Sequence, residues 1–167
     1  YTRKYIKWGE NHSHEADDYK YNGFHERPTC RSRKPWYVLS DLKPARMLLP
    51  MFLRARLFFA LYEKPVLCDA ALYALYPKKQ LSYETIWLYM NSTVFLLTLE
   101  LFGMRMGGGG GALQVKVNFY EELPVPNLAE LRIEYPHEKL LNRQVYPYYE
   151  EVKQPDRREL DLSLIHI

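Results

Sequence analysis

The chain has 167 residues, of which 47% are hydrophobic and 15% aromatic, and its formal net charge is +3. This composition is sufficient for one ordinary domain with a real core, which excludes a mainly disordered chain. The two cysteines, Cys30 and Cys68, are too few for a disulfide framework, and no signal peptide opens the sequence, so we expect a cytoplasmic setting.

The first 34 residues contain one predicted element and a long excursion. Residues 1–8 alternate basic and bulky side chains, which is typical of an edge strand. Residues 9–34 lose any period and contain Asn22-Gly23 and Pro28, which predicts a long surface loop.

Basic residues are concentrated around the end of this loop. Residues 27–56 hold eight lysines and arginines against Asp41 alone. Such local asymmetry indicates a polyanionic partner, and a solvated charged face is the alternative.

A series of short strands is predicted next. Residues 36–39, 46–50, 56–61, 66–69 and 72–76 read as strands, separated by prolines at turn-sized intervals. Because these intervals are too short for helical crossovers, the strands should form an antiparallel meander. Trp36 and Tyr37 could stack on bases, but an aromatic pair that opens a strand more often has one ring in the core and one at the rim.

Residues 82–102 change to a helical period. Ser82 is the predicted N-cap, and Gly103 is the predicted left-handed stop. So apolar a helix should bury Ile86, Met90, Leu97 and Leu101 against the sheet.

The remainder begins with five glycines, residues 107–111. Residues 113–119 alternate as one more strand, and residues 121–126 form an extended, proline-stiffened exit. Two helical candidates, residues 138–144 and 157–162, lie between prolines in a part that resembles a connector more than a core.

The predicted fold is therefore α+β, with a twisted antiparallel sheet packed on one long helix. We expect an edge strand and basic loop over residues 1–34, the main domain over residues 35–126, and connector helices over residues 127–161.

Several segments together resemble a known family. They are YIKWGE (residues 5–10), HERPTCRSRKPWYVL (25–39), LYMNSTVFLLTLELFG (88–103), and GGGALQVKV followed by ELPVP (109–126). In this order they resemble the Taq-type C-terminal specificity domain of adenine-specific DNA methyltransferases in restriction-modification systems. None of these motifs is as specific as a zinc-finger spacing, so the ordered set carries the resemblance.

The resemblance implies that this chain reads double-stranded DNA while an N-terminal domain of the same polypeptide binds S-adenosylmethionine and methylates a flipped adenine. The chain contains no Asn/Asp-Pro-Pro-aromatic tetrapeptide, which that family uses to hold the base, so no catalytic residue is assigned. Residues 162–167 resemble translated adapter sequence, and we expect them to lie outside the native fold.

The predicted DNA contacts are mostly basic. Arginine matches the paired acceptors of guanine, whereas lysine acts as a point charge on phosphate, so we place Lys34 on the backbone and the neighbouring arginines nearer the bases. The alternative for Arg31 and Arg33 is an ion pair with Glu26 or Asp41. The full predicted set is Arg27, Arg31, Arg33, Lys34, Arg54, Arg56, Arg105 and Gly109.

Three of these contacts rest on local geometry. Arg54 and Arg56 should share one strand face with phosphate spacing, unless they form cross-strand ion pairs. Arg105, just before the glycines, is placed to contact a phosphate. The glycines themselves could let the backbone approach DNA, or they could form a flexible connector without any contact.

Two other kinds of site are disfavoured. The glycines lack the Lys-Ser/Thr pair of a phosphate-binding loop. A metal site has no complete ligand pattern among His12, His14, His25, Cys30 and Cys68.

We therefore expect sequence-specific DNA recognition for an adenine methyltransferase, alone or fused to a restriction nuclease. One alternative is the recognition domain of a type I restriction specificity subunit. The other is a protein-interaction module that uses a tyrosine-rich surface.

Overall fold

The computed structural model describes residues 1–16, 19–38, 42–107, 111–133, 135–136 and 138–165. The chain divides into two compact units, Tyr1–Leu42 and Lys43–Ile167. The first unit extends beyond the predicted boundary at residue 34 because the ring of Trp36 packs against that of Phe24.

Unit 1 begins with helix α1, Thr2–Asn11, so the predicted edge strand is wrong. The bulky residues Tyr5, Trp8 and His12 recur at three- and four-residue steps, which places them on one helical face. Their rings contact one another along that face, with centroids 5.6 and 4.5 Å apart.

The predicted long loop of unit 1 also contains regular structure. Strands β1, His14–Ala16, and β2, Tyr19–Tyr21, form an antiparallel hairpin. A 3₁₀ turn, Phe24–Glu26, and a one-turn helix α2, Pro28–Arg31, follow it. The predicted strand at residues 36–39 is absent over residues 36–38, where Val38 N–H donates to Pro35 O and closes a turn.

Unit 2 contains an antiparallel sheet of three strands: β3, Ala45–Pro50; β5, Ala60–Val66; and β6, Leu72–Leu75. The predicted strands at residues 46–50 and 72–76 are confirmed. Those at 56–61 and 66–69 are largely wrong, because β5 fills the gap between them and residues 56–59 and 67–69 are irregular. The meander order is wrong, because β3 lies between β5 and β6. The central strand is nearly continuously buried, as its Met47, Leu48 and Leu49 show.

A second small sheet joins strands that are distant in the chain. It has the order β4, Phe52–Leu53; β8, Leu113–Gln114; β7, Met104–Arg105, and both pairings are antiparallel. The strand predicted over residues 113–119 ends at Gln114, and helix α5, Val117–Glu122, replaces its second half. Tyr120 of α5 packs against the core and donates its hydroxyl proton to Pro50 O.

The predicted long helix is two helices, α3, Tyr83–Met90, and α4, Thr93–Phe102, bent by 67°. Ser82 caps α3 by accepting from Thr85 N–H, as predicted. Gly103 has φ −76°, so the predicted left-handed stop is wrong.

Two buried polar residues account for the bend. The Asn91 side chain bonds the backbone of Phe59, and the Ser92 hydroxyl accepts from Phe95 N–H and caps α4. Ile86 and Met90 are buried as predicted, but Leu97 and Leu101 on α4 are 59% and 71% exposed. The burial prediction fails there because the bend gives α4 a different direction.

The C-terminal part holds helices α6, Glu138–Leu141; α7, Tyr148–Glu151; and α8, Pro155–Ile165. The helical candidate at residues 157–162 is confirmed, and the one at 138–144 is helical only as far as Leu141. The connector interpretation is wrong. Leu140 and Leu160 belong to the main core of unit 2. Leu164 is also buried, so α8 includes residues that we expected to lie outside the fold. The α+β class is confirmed.

Candidate nucleic-acid interface

Unit 1 is organised around a chain of aromatic rings. Trp8, Phe24, Trp36 and Tyr37 contact one another in turn, edge to face, with centroids 5.3, 5.9 and 5.7 Å apart. Tyr37 is exposed, as expected for the rim ring, but Trp36 is only half-buried and lies outside the main core, so the expected core ring is not found. Aromatic pairs in this geometry stabilise a fold beyond the area they bury.

Gly9 lets α1 approach this ring chain. A Cβ atom at Gly9 would lie 2.8 Å from Cη2 of Trp36 and 3.1 Å from Cδ2 of Phe24. Glycine is therefore required by close packing at this position.

Next to the ring chain lies a basic turn, residues 27–34, which we name the arginine turn. The N–H groups of Cys30 and Arg31 donate to Arg27 O at 2.8 and 2.7 Å, and Arg33 N–H donates to Cys30 O at 2.9 Å. The guanidinium of Arg27 lies over the Phe24 ring, 5.0 Å from its centroid. The backbone of the turn is thus fixed, and the turn is fastened to the ring chain.

The arginine turn carries uncompensated charge. Arg31 and Lys34 are exposed and Arg33 is half-buried. In the described part of unit 1, none of the turn's four basic side chains has a carboxylate oxygen within 4.0 Å. The predicted alternative, pairing with Glu26, is not seen, and Asp41 lies outside the described residues.

The described carboxylates of unit 1 have other partners. Glu26 accepts from Asn22 N–H at 2.8 Å, and Glu15 pairs with Lys20 at 3.6 Å. Glu10 accepts from Nε1 of Trp36 at 3.5 Å. Among the described residues of unit 1, no carboxylate therefore competes with an external anion for the arginine turn.

Arg54 and Arg56 lie in unit 2, but not on a strand. They occupy the irregular segment between β4 and β5, so the prediction of a shared strand face is wrong. Ala55 between them accepts a hydrogen bond from Tyr148 N–H, and Leu57 turns into the core. Both arginines are exposed, and neither forms an ion pair within the described residues.

Arg105 is in a different situation. Its guanidinium donates to both carboxylate oxygens of Glu100, at 2.5 and 2.6 Å, and to Gly111 O at 3.3 Å. Because Glu100 compensates its charge, Arg105 is less available to a DNA phosphate than the unpaired arginines are. Gly109 lies outside the described residues.

A buried ionic cluster that no sequence pattern predicted lies in the C-terminal part of unit 2. Glu151 is 2% exposed and accepts hydrogen bonds from Arg143, Arg157 and the Tyr146 N–H. Burial alone would raise the pKa of Glu151, but the hydrogen bonds from Arg143 and Tyr146 and the charge of Arg157 lower it below its ordinary value. Only the tyrosine-rich run at residues 146–149 marks this region in the sequence.

Other kinds of site have little support. No group of three or more His, Cys, Asp or Glu side chains in the described residues is placed to hold a metal ion. Over the same residues no single helix is long and apolar enough to cross a membrane; α3 and α4 meet that test only as a pair, across their bend.

Comparison with known proteins identifies the family. No curated protein and no solved structure matches the chain significantly. A family model described as the C-terminal domain of type II methyltransferase M.Eco57I matches residues 2–154, which is most of the chain. The chain therefore belongs to the family of C-terminal domains typified by type II methyltransferase M.Eco57I.

Proposed function

We propose that this chain is the target-recognition domain of an adenine-specific DNA methyltransferase and reads the sequence of double-stranded DNA. The observation that carries this proposal is the arginine turn, whose basic groups have no carboxylate partner in the described part of unit 1. Membership of a type II methyltransferase family makes DNA the polyanion to consider. The resemblance to Taq-type specificity domains supports the same substrate.

The geometry of the turn suits this task. A duplex reader needs cations for phosphates and a smaller number of planar donors for base edges. Lys34 contacts a phosphate, and Arg31 and Arg33 contact base edges. A guanidinium can donate hydrogen bonds to both acceptors of guanine there. Because hydrogen bonds already hold the turn's backbone, little ordering entropy is lost on binding.

We assign the methyl transfer to a partner, the N-terminal methyltransferase domain of the same polypeptide. That domain would bind S-adenosylmethionine and the flipped adenine, with or without a fused restriction nuclease. In this division of work the present chain selects the site and contributes no catalytic residue.

The test is selection of binding sequences from a randomised duplex library, followed by salt-dependent affinity measurements on the enriched duplex. The double variant Arg31→Ala/Arg33→Ala should bind about tenfold or more weakly and less selectively, with an unchanged melting temperature. Lys20→Ala is the matched control, because Lys20 is exposed in the same unit but pairs with Glu15. It should bind as the parent does.

Two results would overturn the proposal. One is a double variant that keeps both affinity and sequence preference. The other is a parent chain that shows no salt-dependent DNA binding, which is the behaviour of an apolar protein-interaction module.

A further inference from the structure

A backbone hydrogen bond joins two parts of unit 2 that are distant in the sequence. Tyr148 N–H, at the start of α7, donates to Ala55 O at 2.7 Å. Ala55 lies between Arg54 and Arg56, so this bond fixes the loop that carries both arginines against the C-terminal part of the chain. Nothing in the linear sequence relates the two segments.

Two exposed aromatic rings lie at the start of α7, next to this hydrogen bond. Tyr148 is 39% exposed and Tyr149 is 54% exposed, and their rings meet edge to face with centroids 6.0 Å apart. Tyrosines that serve only the core would be turned inward, as Tyr135 is.

The buried cluster around Glu151 keeps this segment in position. Glu151 ends α7 and is bound by Arg143 before the tyrosines and by Arg157 after them. Its carboxylate also accepts from Tyr146 N–H at 3.0 Å. The tyrosine segment is therefore presented on a rigid base.

We propose that Arg54, Arg56, Tyr148 and Tyr149, named here the Arg-Tyr patch, form a second DNA contact that grips the sugar-phosphate backbone. Exposed guanidinium groups neutralise phosphates, and tyrosine hydroxyls donate to phosphate oxygens. The inference rests on the proposed function. It extends the proposed DNA contacts to unit 2 and to its C-terminal part, through Tyr148 and Tyr149.

Charge selects DNA over a protein partner as the occupant. Neither arginine has an ion pair in the described residues, and two adjacent uncompensated cations are suited to a row of phosphates. Glu150 is exposed on α7 beside Tyr149, whereas Glu151 of the same helix is buried. Removal of the Glu150 charge should therefore act in the opposite direction to removal of the arginines.

The experiment measures binding of the whole chain to a mixed-sequence duplex as salt is varied. For Arg54→Ala/Arg56→Ala we expect an affinity loss of about tenfold and a salt slope reduced by about one to two units. Tyr149→Phe should weaken binding several-fold with the slope unchanged, because it removes only a neutral donor. All three side chains are exposed, so melting temperatures should stay constant.

Two control variants sharpen the result. Glu150→Gln should strengthen binding, since it removes a negative charge beside the patch. Arg132→Ala removes an exposed arginine of unit 2 outside the patch and should leave the salt slope unchanged.

The outcomes separate this inference from the proposed function. If Arg31→Ala/Arg33→Ala weakens binding but Arg54→Ala/Arg56→Ala does not, the Arg-Tyr patch is refuted and the arginine turn stands. If the patch variants keep DNA affinity but lose association with a separately supplied methyltransferase domain, the patch is a protein interface. If the parent chain does not bind the duplex, both fail together.

Discussion

Asp161 of α8 caps helix α4 through Thr93, a residue 68 positions earlier in the chain. Its carboxylate accepts from Thr93 N–H at 2.8 Å and from the Thr93 hydroxyl at 2.5 Å. The first N–H groups of a helix have no partner within the helix, and a negative charge there also interacts favourably with the helix dipole. The C-terminal helix α8 thus supplies the hydrogen-bond acceptors that the first turn of α4 lacks.

Replacing this cap should destabilise unit 2. We expect Asp161→Ala to lower the free energy of unfolding by about 1 kcal/mol, because Thr93 loses both of its acceptors. Asp161→Asn keeps an oxygen acceptor and loses only the charge, so its loss should be smaller. Denaturant titration of the three proteins checks this order, and an Asp161→Ala variant as stable as the parent would contradict the capping role.

Replacing the buried Glu151 should lower the free energy of unfolding more than replacing Asp161 does. Glu151→Gln leaves the buried Arg157 without its ion-pair partner, whereas Arg143 keeps its pair with Asp156. We expect a loss of about 3 kcal/mol in the free energy of unfolding. Glu150→Gln, on the exposed side of the same short helix, is the matched control and should change stability little. Thermal unfolding by circular dichroism distinguishes the two. Equal melting temperatures for both variants would show that the cluster contributes no stability.

Acid should weaken the fold through the same residue. The folded state holds the pKa of Glu151 below its ordinary value of 4.5, so the folded state binds this proton less readily than the unfolded chain does. The resulting stability is present above pH about 4.5 and is lost as the pH falls through the lowered pKa. Melting temperatures measured from neutral to acid pH should therefore fall less in Glu151→Gln than in the parent. Parallel curves would refute the assignment.

The bend between α3 and α4 depends on Asn91. Its side chain accepts from Phe59 N–H at 3.1 Å and donates to Trp87 O at 2.9 Å in a fully buried position. Asn91→Leu keeps the branched shape of the side chain but leaves the Phe59 N–H unpaired, which should cost about 2 kcal/mol. Asn142→Leu, at an exposed position, should have little effect on chemical denaturation. A stable Asn91→Leu variant would mean that packing alone sets the bend.

The local sequence was sufficient to predict a helix or strand wherever one hydrophobic period, helical or alternating, dominated the segment. Ser82 caps a helix as predicted, Ile86 and Met90 are buried, and residues 46–50 and 72–76 pair as antiparallel strands. In each case the local sequence favours one type of secondary structure, and the tertiary contacts stabilise the same one.

Prediction failed where two periods compete over a short stretch. In α1, basic and bulky residues alternate, but Tyr5, Trp8 and His12 also share a helical face, and their contacts select the helix. At residues 113–119 the alternation is real, yet packing of Tyr120 on the core ends the strand early. Local propensity is a weak preference that tertiary contacts override.

The sequence by itself determined the α+β class, the basic character of residues 27–56 and the resemblance to DNA-methyltransferase specificity domains. Only the tertiary structure decided which arginines are available: Arg105 is held by Glu100, whereas Arg31, Arg54 and Arg56 have no such partner in the described residues. It alone brought Tyr148 to Ala55 and Asp161 to Thr93. The reason is physical, because charge and period are properties of neighbours in the chain, while compensation of a charge depends on groups that only folding brings together.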